Sequence, residues 1–97
     1  MNIALTVICS AGRQEGPAIF KDVSPQGALV ESAVVRPAIG DSVTILFQAS
    51  PDAAPDVLHT NVVRHTPDGF AVQFRVPYSV VCEVITNYQT AVDASHG

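Results

Sequence analysis

The sequence predicts a mainly β fold, a six-stranded antiparallel barrel carrying a helix at its C-terminal end. Val is the dominant apolar residue and recurs in pairs at Val34-Val35, Val62-Val63 and Val80-Val81, and β-branched side chains fit the pleated surface of a sheet. The apolar runs are short and are separated by Gly-, Pro- and Asp-bearing segments mainly of hairpin length. After Pro77 the apolar spacing changes from every second residue to every third and fourth, the period of a helix. A chain of 97 residues has room for one core, because two would each bury too little surface to offset chain entropy. The expected division is a single domain over 1–97, with the barrel over about 2–76 and the helix over about 78–92.

The first strand runs from Asn2 to Ser10, with Ile3, Leu5, Val7 and Cys9 on one face and Ala4 and Ile8 on the other. It is read as a strand and not as a signal peptide, because Met1–Ala11 carries no Lys or Arg ahead of its apolar stretch. The segment Ala11–Gly16 has two glycines and three polar side chains, which suits a hairpin connection, and leaves a short second strand, Ala18–Lys21. A turn at Asp22-Val23-Ser24-Pro25-Gln26-Gly27 precedes the third strand, Ala28–Glu31. Pro37 and Gly40-Asp41 bracket the next connection.

In Ser42–Gln48, Val43, Ile45 and Phe47 alternate with Thr44 and Leu46, the clearest two-residue period in the chain. Ala49–Asp56, with two prolines, two acids and no periodicity, reads as an exposed loop. Val57–His65 and Phe70–Val76 flank Thr66-Pro67-Asp68-Gly69, where Pro67 presets φ and Gly69 accepts a positive φ, a hairpin signal. Phe70, Val72, Phe74 and Val76 face the core; Gln73 and Arg75 face away. In the tail Tyr78, Val81, Cys82, Ile85, Tyr88, Gln89 and Val92 share one helical face. Pro77 suits a first-turn position, Ser79 suits the cap, and fraying is expected ahead of Ser95-His96-Gly97.

Composition narrows the function. The chain is 47% apolar and only 14% charged, which favours a packed globule over disorder. Its net charge of −4, from nine acids and five bases, has no run of either sign, so no cationic field is present to hold DNA or RNA. A small anionic nucleotide needs only two or three placed guanidiniums or amides, and the arginines are Arg13, Arg36, Arg64 and Arg75. No segment approaches the roughly 20 apolar residues of a membrane span. Cys9 and Cys82 lie far apart without a C-x-x-C, which is read as a reduced pair in a cytoplasmic protein.

Catalytic chemistry finds no support. His59 lies in a strand, His65 at a hairpin end and His96 in the tail, and none is placed beside a nucleophile. His59 and His65 are six apart, roughly 20 Å along a strand at ~3.3 Å per residue, too far to share a metal. A carboxylate pair would need Asp22 to face Glu31 or Asp41 across a cleft, which nothing in the pattern requires. The expectation is a non-enzyme without a metal or cofactor.

The Asp22 turn offers more. In Asp22-x-Ser24-x-x-Gly27 the acid and the hydroxyl are two apart in an extended segment and project the same way, while Pro25 and Gly27 bend the chain. A carboxylate that accepts two N–H bonds from one edge of a flat heterocycle discriminates guanine. The competing reading has Asp22 and Ser24 bonding the turn backbone while Gly27 supplies a positive φ.

Phe20-Lys21-Asp22-Val23-Ser24-Pro25-Gln26-Gly27-Ala28-Leu29-Val30 resembles the D-x-S-x-x-G signature of the PilZ family. Three further elements resemble that family in order: the G-x-x-V strand at Gly40–Leu46, the V-V-R strand at Asn61–Arg64 and the closing G-V-x-F strand at Gly69–Phe74. The resemblance implies a six-stranded barrel and, in most members, binding of the bacterial messenger cyclic di-GMP. It gives Asp22, Ser24 and Gly27 the guanine-contacting role. The family's R-x-x-x-R stretch, which stacks on guanine and grips phosphate, is absent from these 97 residues. Its substitute would come from Arg13, Arg64, Arg75 or another chain. Two functions follow: a cyclic di-GMP sensor, or a nucleotide-independent adaptor that uses the barrel to contact another protein.

Overall fold

In the computed structural model of the chain, residues 2–96 are described, the last three by their backbone. The side chain of His96 and the whole of Gly97 lie outside the described residues. Six strands, β1 (Ala4–Ala11), β2 (Gln14–Lys21), β3 (Gly27–Glu31), β4 (Ser42–Phe47), β5 (Asp56–Thr66) and β6 (Gly69–Phe74), precede one helix, α1 (Tyr78–His96). The strands close into a barrel in the order β1-β2-β3-β6-β5-β4, and every neighbouring pair is antiparallel. The fold is therefore mainly β, a closed six-stranded antiparallel barrel with a C-terminal helix, as the alternation and turn spacing predict.

Alternation fills the interior. Val7 and Cys9 of β1, Ala18 and Phe20 of β2, Val43, Ile45 and Phe47 of β4, and Leu58 and Val62 of β5 are all buried. Phe20 is the centre of an aromatic group. Its ring meets Phe47 edge-on at 5.2 Å and lies 6.3 Å from Phe74, a geometry that adds favourable quadrupole contact to burial. Buried Thr60 is accommodated because its hydroxyl donates to the Val43 carbonyl at 2.8 Å, which removes the penalty of an unmatched polar group.

α1 lies at the end where β2, β4 and β6 finish, and it buries Val81, Val84 and Ile85 in the same core. Tyr88 stacks edge-on against Phe47 at 5.6 Å and donates its hydroxyl to the Thr6 carbonyl at 2.8 Å, tying the helix to β1. No helix among the described residues is long and apolar enough to cross a membrane.

The structure departs from expectation in several places, among them the start of β1, at Ala4 and not Asn2, and the end of β6, at Phe74 and not Val76. β2 is eight residues long, because the first hairpin turns on Gly12-Arg13 alone and Gly16 and Pro17 pair with Cys9 and Ile8. β3 pairs with Ile19–Lys21 only, so the first half of β2 is an edge, where a proline is tolerated. The helix begins on Pro77, whose carbonyl accepts from Val80 at 3.0 Å and Val81 at 3.3 Å, which puts Ser79 inside the first turn and not at the cap. Its backbone stays helical through Ser95 and His96, where fraying is expected from the sequence.

Two glycines also have a role other than the expected one. Gly27 and Gly69 do not have a positive φ; Gly12 and Gly40 do, at 60° and 92°. A β-carbon on Gly27 would fall on the Val72 carbonyl oxygen, and one on Gly69 on the Val30 carbonyl oxygen. These glycines let β3 and β6 approach each other.

Candidate functional site

The β2–β3 connection is bent by Asp22, whose φ of 52° is left-handed, a conformation that Asp tolerates better than most residues. The reversal drives Val23 into the core, where it is buried, and leaves Asp22 exposed. Ser24 then closes the turn. Its backbone N–H donates to the Gly27 carbonyl at 2.8 Å; its hydroxyl donates to the same oxygen at 3.3 Å and accepts from the Gly27 N–H at 3.4 Å. The backbone-bonding reading thus holds for Ser24. The Asp22 carboxylate makes no hydrogen bond or ion pair among the described residues, where Lys21–Glu31 at 3.5 Å is the ion pair formed.

Arg64 reaches the same place by a different device. Leu58, Thr60 and Val62 of β5 point inward, and a strict two-residue count would continue inward at Arg64. Instead the register steps from Val62↔Val72 to Arg64↔Ala71, leaving Val63 unmatched in a bulge. A bulge re-aims the side chains beyond it, and here it keeps a guanidinium out of an apolar barrel, where it would be a buried unpaired charge.

The result is a groove of about 670 Å³ on the outer faces of β3, β6 and β5, bordered by the Asp22 turn. Asp22, Ser24, Gln26, Gly27, Arg64 and Gln73 line it, over an apolar floor that includes Leu29, Val63 and Ala71. It offers an acceptor carboxylate, a guanidinium and two amides around an apolar strip of sheet, a set suited to a hydrogen-bonding anion with an apolar face.

Of the residues singled out from the sequence, Asp22, Ser24, Gly27 and Arg64 come together. Arg13 does not join them: it sits on the β1–β2 hairpin at the opposite end of the barrel. Arg75 follows β6, its backbone N–H held by the His59 carbonyl at 3.1 Å, and does not line the groove. Gln26 and Gln73 were not singled out as ligand-binding residues. Gln26 occupies an open position within the motif, and Gln73 shows only as an outward residue of the last strand.

The other polar candidates lie outside the groove. Glu31 pairs with Lys21. Asp41 accepts the Ala38 N–H at 2.9 Å at the far end of the barrel, so neither faces Asp22 across a cleft. A His65 ring nitrogen lies 2.9 Å from the Pro37 carbonyl, His59 is exposed on β5, and among the described residues no three His, Cys, Asp or Glu side chains converge as a metal site. Both cysteines are free thiols. Burial inside the barrel pushes the Cys9 thiol up to about 11, and the hydrogen bond with Cys82 pushes the Tyr78 hydroxyl up.

Comparison with known families matches residues 1–88 to the PilZ domain. No curated protein and no solved structure shows significant similarity to the chain.

Proposed function

Because the chain belongs to the PilZ domain family, which is tied to cyclic di-GMP signalling, we propose that it is a non-catalytic regulatory module that binds this dinucleotide in the Asp22 groove. The observation that carries the proposal is the bulge at Val63, which brings Arg64 into the groove that Asp22, Ser24 and Gly27 line.

Each residue has a separate task. The unpaired Asp22 carboxylate accepts from the N–H edge of a guanine, a charge-assisted and directional contact. Ser24, committed to the turn, holds that carboxylate in place. Gly27 keeps β3 tight against β6 beneath the base. Arg64 supplies the positive charge for a phosphate or the planar face for a base.

One guanidinium stands where family members with R-x-x-x-R have two. A charge-assisted hydrogen bond contributes about 1.5–3 kcal/mol, so a single arginine implies binding weaker by about tenfold or more than a paired site gives. The working compartment is the cytoplasm, in keeping with the family and with two free thiols.

Titration calorimetry with cyclic di-GMP tests the proposal. Saturable heat that falls about tenfold in affinity or more in Asp22→Ala and in Arg64→Ala supports it. No heat from the unaltered chain at high micromolar ligand would sink it and leave the nucleotide-independent adaptor.

A further inference from the structure

The far end of the barrel carries a second cationic groove. The β1–β2 hairpin turns on Gly12 and Arg13, with φ of 60° at the glycine and no positive φ at the arginine, the pattern of a tight II′ turn that holds Arg13 at its tip. The connection between Glu31 and Ser42 crosses beside it. Gly16 has no side chain where Val34 packs, since a β-carbon there would come within 2.9 Å of Val34 Cβ. The Arg36 N–H is fixed by Gln14 Oε1 at 3.1 Å. These two contacts bring Arg36 to the hairpin, and both arginines line one groove of about 500 Å³ with Gln14, Asp41 and Ser42.

The groove has more positive than negative charge. Neither guanidinium makes a hydrogen bond or ion pair among the described residues. Gln14 uses its oxygen on Arg36, which leaves its amide N–H₂ to donate. Asp41 is the acidic side chain lining the groove, and it is bound to the Ala38 N–H at 2.9 Å. Glu15 neighbours Gln14 in sequence but projects to the opposite face of β2. Two of the five basic residues in a chain of net charge −4 therefore line one groove with a single carboxylate, Asp41, which offsets one of the two positive charges. Such a site suits an anion rich in acceptor oxygens that reaches the guanidiniums and the Gln14 amide.

The geometry points to a phosphate-binding site at Arg13 and Arg36, with Gln14 and Ser42 as neutral donors, separate from the Asp22 groove. Two guanidiniums match the oxygens of a phosphate group by paired N–H···O bonds. The site is independent of whether the Asp22 groove takes a dinucleotide.

Pyrophosphate is titrated into the ¹⁵N-labelled chain at constant ionic strength and followed by amide and arginine Nε shifts. The expected result is saturable change at Gly12, Arg13, Arg36 and the Gln14 side-chain amide. Affinity should fall about tenfold or more in the Arg13→Gln/Arg36→Gln variant, by a smaller factor in Arg13→Lys/Arg36→Lys, and not in Arg64→Gln. Both arginines are exposed, so the variants keep the fold, and the unshifted remainder of the spectrum verifies this. Cosedimentation with phosphatidylglycerol vesicles, lost in the double glutamine variant, would assign the phosphate to a lipid headgroup; pyrophosphate binding without it assigns a soluble ligand. Non-saturating shifts, an unaffected double variant, or succinate binding as tightly as pyrophosphate would overturn the assignment.

Discussion

Replacing Gly27 with alanine places a methyl group where β6 already is. The new carbon would fall on the Val72 carbonyl oxygen, and that oxygen belongs to backbone held in the β3–β6 ladder, where Gly27 pairs with Gln73 and Ala28 with Val72. A flexible side chain would swing aside; a paired strand does not. Overpacking costs about 1–3 kcal/mol and more where the neighbours are rigid, so about 3 kcal/mol is expected. Alanine stabilises by roughly 0.5–1 kcal/mol through its stiffer unfolded chain, leaving a net loss of about 2–2.5 kcal/mol. At ~4–8 °C per kcal/mol for a domain of this size, Tm should drop by roughly 8–20 °C in a thermal melt followed by circular dichroism. Gly12→Ala is the control. Gly12 has a φ of 60° and open space around it, so it carries only the left-handed penalty of about 1–2 kcal/mol. A Gly27→Ala melt within about 2 °C of the parent, or one milder than Gly12→Ala, would refute close approach as the reason for this glycine.

Two further outcomes follow from the core. Phe20→Ala removes a fully buried ring that contacts Phe47 and Phe74 and should cost about 3–5 kcal/mol in urea unfolding; a loss below about 1 kcal/mol would mean that the barrel collapses around the gap. Burial raises the Cys9 thiol from 9.0 to about 11, so the unfolded chain ionises first as the pH rises. Stability from this group is whole below pH 9 and is lost up to about pH 11, worth on the order of 2–3 kcal/mol. The alkaline fall should shrink in Cys9→Ala, and an identical fall in both chains would argue against the thiol as its source.

The barrel was readable because its strands obey a simple period. In Ser42–Phe47 each inward position is apolar, and the β5–β6 turn at Pro67-Asp68 separates two apolar strands. The hairpin at Gly12-Arg13 is tighter than its composition suggests, since Gly16 and Pro17 read as turn residues although one-sided pairing admits both. The candidate site was half legible. Asp22, Ser24 and Gly27 fall within six residues, so their turn shows in the chain order, but Arg64 reaches them through a bulge. A single unmatched residue among Val62, Val63 and Arg64 leaves no trace in the alternation. The role of Gly27 was hidden for a similar reason, because its neighbour Val72 is close only once the sheet has formed.

The most direct test of the account is calorimetric titration of cyclic di-GMP into the unaltered chain and into Arg64→Ala. The account predicts saturable binding to the first and an affinity lower by about tenfold or more in the second. Equal binding to both, or none to either, would contradict a dinucleotide site built from the Asp22 turn and the bulged strand.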